Sequence, residues 1–196
     1  MLRLQADASP DQWIAVTGSL GLRGRRHRRK AIGMLLAGAN AAMGGEARGG
    51  GLTAWAASQA LPFLMRRADG RVLAWMWQAD PTLVVVMAQL QEATPQLRAA
   101  RAMMPMRFDD TEEFRNPHLG AGEKLVVDLP PNPATPPFAT YTWDIGSHLV
   151  NLQAVGGDRE RFGTVLEPVE RIARTLRVVD DLPIGEAAEV LRLPPA

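Results

Sequence analysis

The sequence predicts an α+β fold, an antiparallel β-sheet packed against one helix from the N-terminal part of the chain and one from the C-terminal part. Three observations carry that expectation. Ala139, Tyr141, Trp143 and Ile145 alternate with Thr140, Thr142 and Asp144, the two-residue period of a half-buried strand. Asp144-Ile145-Gly146-Ser147 then supplies a turn, with Gly146 free to take positive φ, and residues 148–155 return as the partner strand. Beyond Gly156 and Gly157, Asp158 is placed to cap a helix. Phe162, Val165, Leu166, Val169, Ile172, Ala173 and Leu176 recur at three- and four-residue spacing, so a helix running to Val178 carries them on one face. A hairpin and a helix of this kind cover each other's apolar sides, which makes residues 139–178 the expected core.

Taken in order, Leu2 and Leu4 alternate with Arg3 and Gln5 as a short strand, and residues 13–16 form a second short apolar run. Residues 17–24 carry Gly18, Gly21 and Gly24 and read as a loop. A helix should follow to about Met43, with Ile32, Leu35, Leu36, Ala39 and Met43 on one face and Gly44-Gly45 ending it. After a flexible joint at residues 49–51, residues 52–58 read as a strand. Residues 71–78 and 82–91 form a hairpin joined by Ala79-Asp80-Pro81, since Pro81 cannot sit inside a central ladder. Both faces of residues 71–78 are apolar, with Leu73, Trp75 and Trp77 on one and Val72, Ala74 and Met76 on the other. That pattern predicts a central strand covered on two sides.

Residues 95–104 are weakly helical and stop at Pro105. An acidic patch of Asp109, Asp110, Glu112 and Glu113 reads as loop, and residues 124–129 as strand. Pro130, Pro131, Pro133, Pro136 and Pro137 favour an extended, semi-rigid polyproline arm. Pro168 interrupts the C-terminal helix, which should kink there or restart with the proline in a first turn. One domain over residues 1–196 is expected, with a loose tail at 179–196.

Composition narrows the function classes. A hydrophobic content of 46% with 22% charged residues belongs to a globular chain able to build a core. Net charge is +1, so no global field draws in nucleic acid or acidic ligands. The absence of cysteine excludes disulfides, thiol catalysis and thiolate metal sites. Basic residues are nearly all arginine amid abundant Ala, Gly and Pro, a bias expected of a GC-rich bacterium. No stretch approaches the ~20 apolar residues of a membrane span. The basic run at residues 25–30 before an apolar run imitates a signal peptide, but structured residues precede it, so a cytoplasmic location is expected.

Arg25, Arg26, Arg28 and Arg29, flanked by Arg23, His27 and Lys30, form the strongest local anomaly. The leading reading is a solvated loop and first helical turn; because basic residues at a helix start oppose the helix dipole, contact with phosphates, anionic lipid or an acidic protein face is the alternative. His27, His118 and His148 are far apart and lack the spacing of a metal site. Gly120-Ala121-Gly122 precedes a strand and does not join one to a helix, so it reads as a turn and not a dinucleotide loop. Without a Gly-x-Ser-x-Gly elbow or converging acids, no catalytic residue and no cofactor is assigned. Trp75 and Trp77 share a strand face, which suits a core or a binding surface.

Asn116-Pro117-His118-Leu119-Gly120-Ala121-Gly122-Glu123-Lys124, Ala139-Thr140-Tyr141-Thr142-Trp143-Asp144 and Arg171-Ile172-Ala173-Arg174-Thr175-Leu176-Arg177-Val178 resemble segments of the PsbP/Mog1-like superfamily, which includes DcrB-like and LpqN-like bacterial proteins. That resemblance implies a non-catalytic binding, assembly or accessory protein. The expected partner is another protein, held through a sheet face, the basic loop or the proline arm. An anionic surface is the second partner class, and nucleic acid is not expected. The rivals are a carrier of a small apolar ligand between sheet and helices, and an enzyme with an unrecognised site.

Overall fold

The computed structural model describes residues 2–16, 70–102, 111–130 and 135–180. It is an α+β protein dominated by one large antiparallel sheet. Its strands are β1 (Leu2–Gln5), β2 (Trp13–Ala15), β3 (Val72–Trp77), β4 (Val84–Glu92), β5 (Thr111–Asn116), β6 (Gly120–Val127), β7 (Phe138–Asp144), β8 (His148–Gly156) and β9 (Arg177–Asp180). Helix α1 spans Pro95–Ala102. A 3-10 turn at Phe162–Val165 leads into α2, Leu166–Thr175. The helix expected before Met43, the strand expected at 52–58 and the basic cluster lie outside the described residues.

Seven strands pair in the order β2-β3-β4-β8-β7-β6-β5, and β1 pairs separately with β9. The two nine-residue strands at the centre, β4 and β8, carry apolar side chains on both faces. Register fixes which residues share a layer: Trp75 faces Val86, Val86 faces Ala154, and Ala154 faces Ala139. Those residues and Leu152, Tyr141 and Trp143 line the face on which α2 lies, and Val169, Ile172 and Ala173 of the helix are all buried against it. Val16, Ala74, Met76 and Val85 form a second buried cluster on the opposite face, as the doubly apolar pattern of β3 requires.

The C-terminal unit is built as its chemistry dictates. The Asp158 carboxylate accepts bonds from the Glu160 and Arg161 amides at 3.0 and 3.2 Å, capping the turn that precedes the 3-10 segment. The α-helix begins anew at Leu166, and Pro168 sits in its first turn, where a missing N–H costs nothing. Three local expectations are corrected. The helix ends at Thr175, and Arg177–Asp180 is a strand whose partner is the N-terminal β1. Glu112 and Glu113 belong to edge strand β5 and not to a loop. Gly120 closes the β5–β6 turn with a φ of 85°, as a turn residue, but Gly122 lies within strand β6.

Gly122 has a packing reason. A Cβ there would lie 2.3 Å from Trp143 Cδ1 and 2.6 Å from the Thr142 carbonyl oxygen. The missing side chain lets the Trp143 indole lie across the strand toward Phe114, whose ring centroid is 6.0 Å away.

Candidate functional site

Closure of β1 on β9 brings residues 7–13 against the outer flank of α2. Between them lies an open cleft of about 520 Å³. Asp7, Ser9, Asp11, Gln12 and Trp13 form one wall, and Pro168, Arg171, Ile172, Arg174 and Thr175 the other. Trp13 and Ile172 are buried and give the cleft an apolar floor. Arg171 and Arg174, three residues apart, stand on the polar face of a helix whose opposite stripe is in the core.

The N-terminal wall is tied to the helix end by specific bonds. The Asp7 amide donates to Thr175 Oγ1 at 3.0 Å, and that hydroxyl also bonds the Ile172 carbonyl oxygen at 3.0 Å. Both oxygens of the Asp7 carboxylate accept from Arg177, at 2.9 and 3.2 Å. The Arg177 hydrogen bonds hold the Asp7 carboxyl below the usual carboxylate range. Thr175 is therefore spent on backbone contacts and is no activated nucleophile.

The helix wall is charged and exposed at its tips. Arg174 reaches Glu170 at 3.1 Å and lies 5.6 Å from the centroid of the Phe114 ring. Arg171 pairs with Glu167 at 3.6 Å. Both arginine side chains are more than half exposed, at 53% and 57%, so each can exchange its intrahelical partner for an incoming carboxylate. Behind this wall Lys124 bridges Glu112 at 2.9 Å and Glu170 at 3.2 Å. The arrangement offers opposed charges around an apolar floor, which suits holding a polar segment in place. Among the described residues, no group of three or more His, Asp or Glu is placed to hold a metal ion.

What fixes α2 is Asn116, a buried polar residue at 1% exposure. Its Nδ2 donates to the carbonyl oxygens of Ala173 and Leu176 at 2.6 and 2.9 Å. Its Oδ1 accepts from the amides of His118 and Leu119 at 2.6 and 2.8 Å. One side chain thus closes the β5–β6 turn and satisfies two carbonyls at the helix C-terminus.

Of the sequence-predicted site residues, the structure describes Trp75 and Trp77. Arg25, Arg26, Arg28 and Arg29 lie outside the described residues. Trp75 is buried in the core beside Val86, and Trp77 is half-buried, packed edge-on against Trp13 with centroids 5.0 Å apart. The proline-rich segment is described at Pro130, which is buried, and again from Thr135 onward. Asp7, Asp11, Arg171, Arg174 and Thr175 were not singled out from the sequence. Only the i, i+3 arginines on the polar side of an amphipathic helix offered a signal, because their opposite wall is remote in the chain.

No protein-family model matches the chain, and no match is found among curated proteins. Among the described residues no helix is long and apolar enough to cross a membrane.

Proposed function

We propose that this protein is a non-enzymatic binding or assembly protein that seats a charged segment of another protein in the cleft between residues 7–13 and α2. The observation that carries the reading is that side chains of opposite charge line the two walls of one open cleft: Asp11 and the Arg177-paired Asp7 stand on one wall, exposed Arg171 and Arg174 on the other, with buried Trp13 and Ile172 beneath. Complementary charge of this kind sets orientation and encounter rate, while the apolar floor contributes contact area. A PsbP/Mog1-like packing is part of the same proposal. It is supported by helix α2, which follows a hairpin and lies across an antiparallel sheet. The apolar-ligand carrier has less behind it, because Tyr141, Trp143, Phe162, Ile172 and Leu176 fill the layer between sheet and helix.

The test compares proteins captured from the native host by the tagged chain and by an Asp11→Arg, Arg171→Glu, Arg174→Glu variant of equal far-ultraviolet dichroism. A partner retained by the parent, lost at raised salt and reduced about tenfold by the variant is the expected result. Identical capture by both proteins would overturn the cleft assignment. A parallel variant neutralising Arg25, Arg26, Arg28 and Arg29 separates a contribution of the basic cluster from that of the cleft.

A further inference from the structure

We propose that two copies of this chain pair edge to edge through β5, antiparallel about a twofold axis at Phe114, making one sheet continuous across the dimer. Among the described residues β5 pairs on one side only, with β6, and is the last strand of the seven. Such an edge offers a row of backbone donors and acceptors to another strand. The opposite edge, β2, has three residues, too short to template a comparable ladder.

The side chains of β5 choose both the partner and the register. Thr111, Glu113 and Arg115 point to one face of the sheet, and Glu112, Phe114 and Asn116 to the other, where Glu112 meets Lys124 and Phe114 packs on Tyr141 and Trp143. Within one chain Glu113 and Arg115 approach only to 3.8 Å while 70% and 80% exposed, so neither is committed to the other. Reversing the strand on itself about Phe114 sets Glu113 opposite Arg115 of the second copy, twice, on the open face. Shifting the register by two residues either way sets Glu113 on Glu113 or Arg115 on Arg115, which like-charge repulsion disfavours. Phe114 is already buried within each copy, so the charges at 113 and 115 select the register. A strand with charges of one sign would block its edge; this one is complementary to its own reverse.

Sedimentation of the full chain over a concentration series reaching about 1 mM, the weak end of the affinity scale, tests the pairing. A monomer–dimer equilibrium is expected. Glu113→Arg should weaken it about tenfold or more by setting Arg on Arg at both contacts, and adding Arg115→Glu should restore it, since the swapped pair is again self-complementary. Because the chain has no cysteine, register can be read directly. Facing residues stand ~4.5–5.5 Å apart between Cα atoms, within disulfide reach, whereas diagonal ones stand ~7–8 Å apart. A mixture of Glu113→Cys and Arg115→Cys proteins should therefore cross-link to each other faster than either does to itself. A chain monomeric throughout, a dimer indifferent to the charge swaps, or faster self-linking at position 113 would each overturn the proposal.

Discussion

Replacing Asn116 by alanine should be among the most damaging single changes in the described part of the molecule. The substitution removes four hydrogen bonds, two donated to the Ala173 and Leu176 carbonyls and two accepted from the His118 and Leu119 amides. Each is worth about 1 kcal/mol net, and a buried group left unpaired costs about 1–3 kcal/mol. The two turn amides can reach water once the side chain is gone. The carbonyls are less able to, because Ala173 and Leu176 are themselves fully buried. A loss of about 3–5 kcal/mol follows, a large part of the ~5–15 kcal/mol that holds a domain together. Urea unfolding followed by tryptophan fluorescence should show a lower midpoint at unchanged slope. Hydrogen exchange should show the Leu119 amide and the last turn of α2 losing protection beyond the global change. Asn116→Asp is the informative companion: it keeps an acceptor for the turn amides but sets a carboxylate oxygen against the two carbonyls, so at neutral pH it should cost no less than alanine. If Asn116→Ala cost less than about 1 kcal/mol, or the aspartate variant were as stable as the parent, the anchoring role would be refuted.

Other outcomes follow from the same geometry. Gly122→Ala drives a Cβ to 2.3 Å from the fully buried Trp143 ring and 2.6 Å from a backbone oxygen, so it should destabilise by about 2–3 kcal/mol, with a change in tryptophan emission. Gly163→Ala, which meets nothing within 4 Å, should be neutral or gain about 0.5 kcal/mol on the same urea curves. The Asp80 carboxyl is lowered from 3.8 to about 2 by its bonds from the Thr82 hydroxyl and amide and then by Arg161. Its contribution is present above pH ~4 and lost as pH falls toward 2, so the stability gap between the parent and Asp80→Asn should close over that window. Tyr141 is the chain's one tyrosine, and its hydroxyl is pushed up by burial and then by Glu170. Tyrosinate absorbance should therefore appear only with alkaline unfolding, above pH ~10, where the folded state loses stability relative to the unfolded one. That hydroxyl has no hydrogen-bond partner among the described residues, so Tyr141→Phe should stay within about 0.5 kcal/mol of the parent.

The parts of the fold that were legible are those whose physics is local. Period-two alternation marked β7, the turn at Gly146 marked the return of β8, Asp158 marked the cap, and Pro168 marked the restart of the helix, since each acts within a few residues of itself. The failures share the opposite cause. Helical spacing continues through Leu176, and nothing near Val178 says that β1, at the other end of the chain, will claim residues 177–180 as a strand. β5 carries a single large buried apolar residue, Phe114, too little alternation to outweigh its acids. Gly122 resembles turn glycine until Trp143 is placed above it. Asn116 did carry a readable half, because an asparagine before Pro-His-Leu is suited to accept bonds from the amides that follow. Its other half, the hold on Ala173 and Leu176, spans 57 and 60 residues and has no local signature. The cleft inherits this difficulty, since its two walls meet only when β1 finds β9.

Those long-range ties also bear on the proposed recognition at the cleft. Helix α2 is held at its leading end by the buried Phe162 and Val165 and by the Arg161–Asp80 ion pair at 2.9 Å, and at its trailing end by Asn116 and by the Asp7–Thr175 bond. Its backbone therefore has little freedom left to lose when a partner arrives, and the ordering cost of binding falls on the tips of Arg171 and Arg174 alone, about 0.5–1.5 kcal/mol for each side chain immobilised. Asn116→Ala would release the trailing end without touching the cleft lining. A stability defect and a weakened partner complex should then appear together in that variant, whereas Arg171→Glu should weaken the complex and leave the urea midpoint nearly unchanged. The difference between the two variants separates the clamp from the contact it supports.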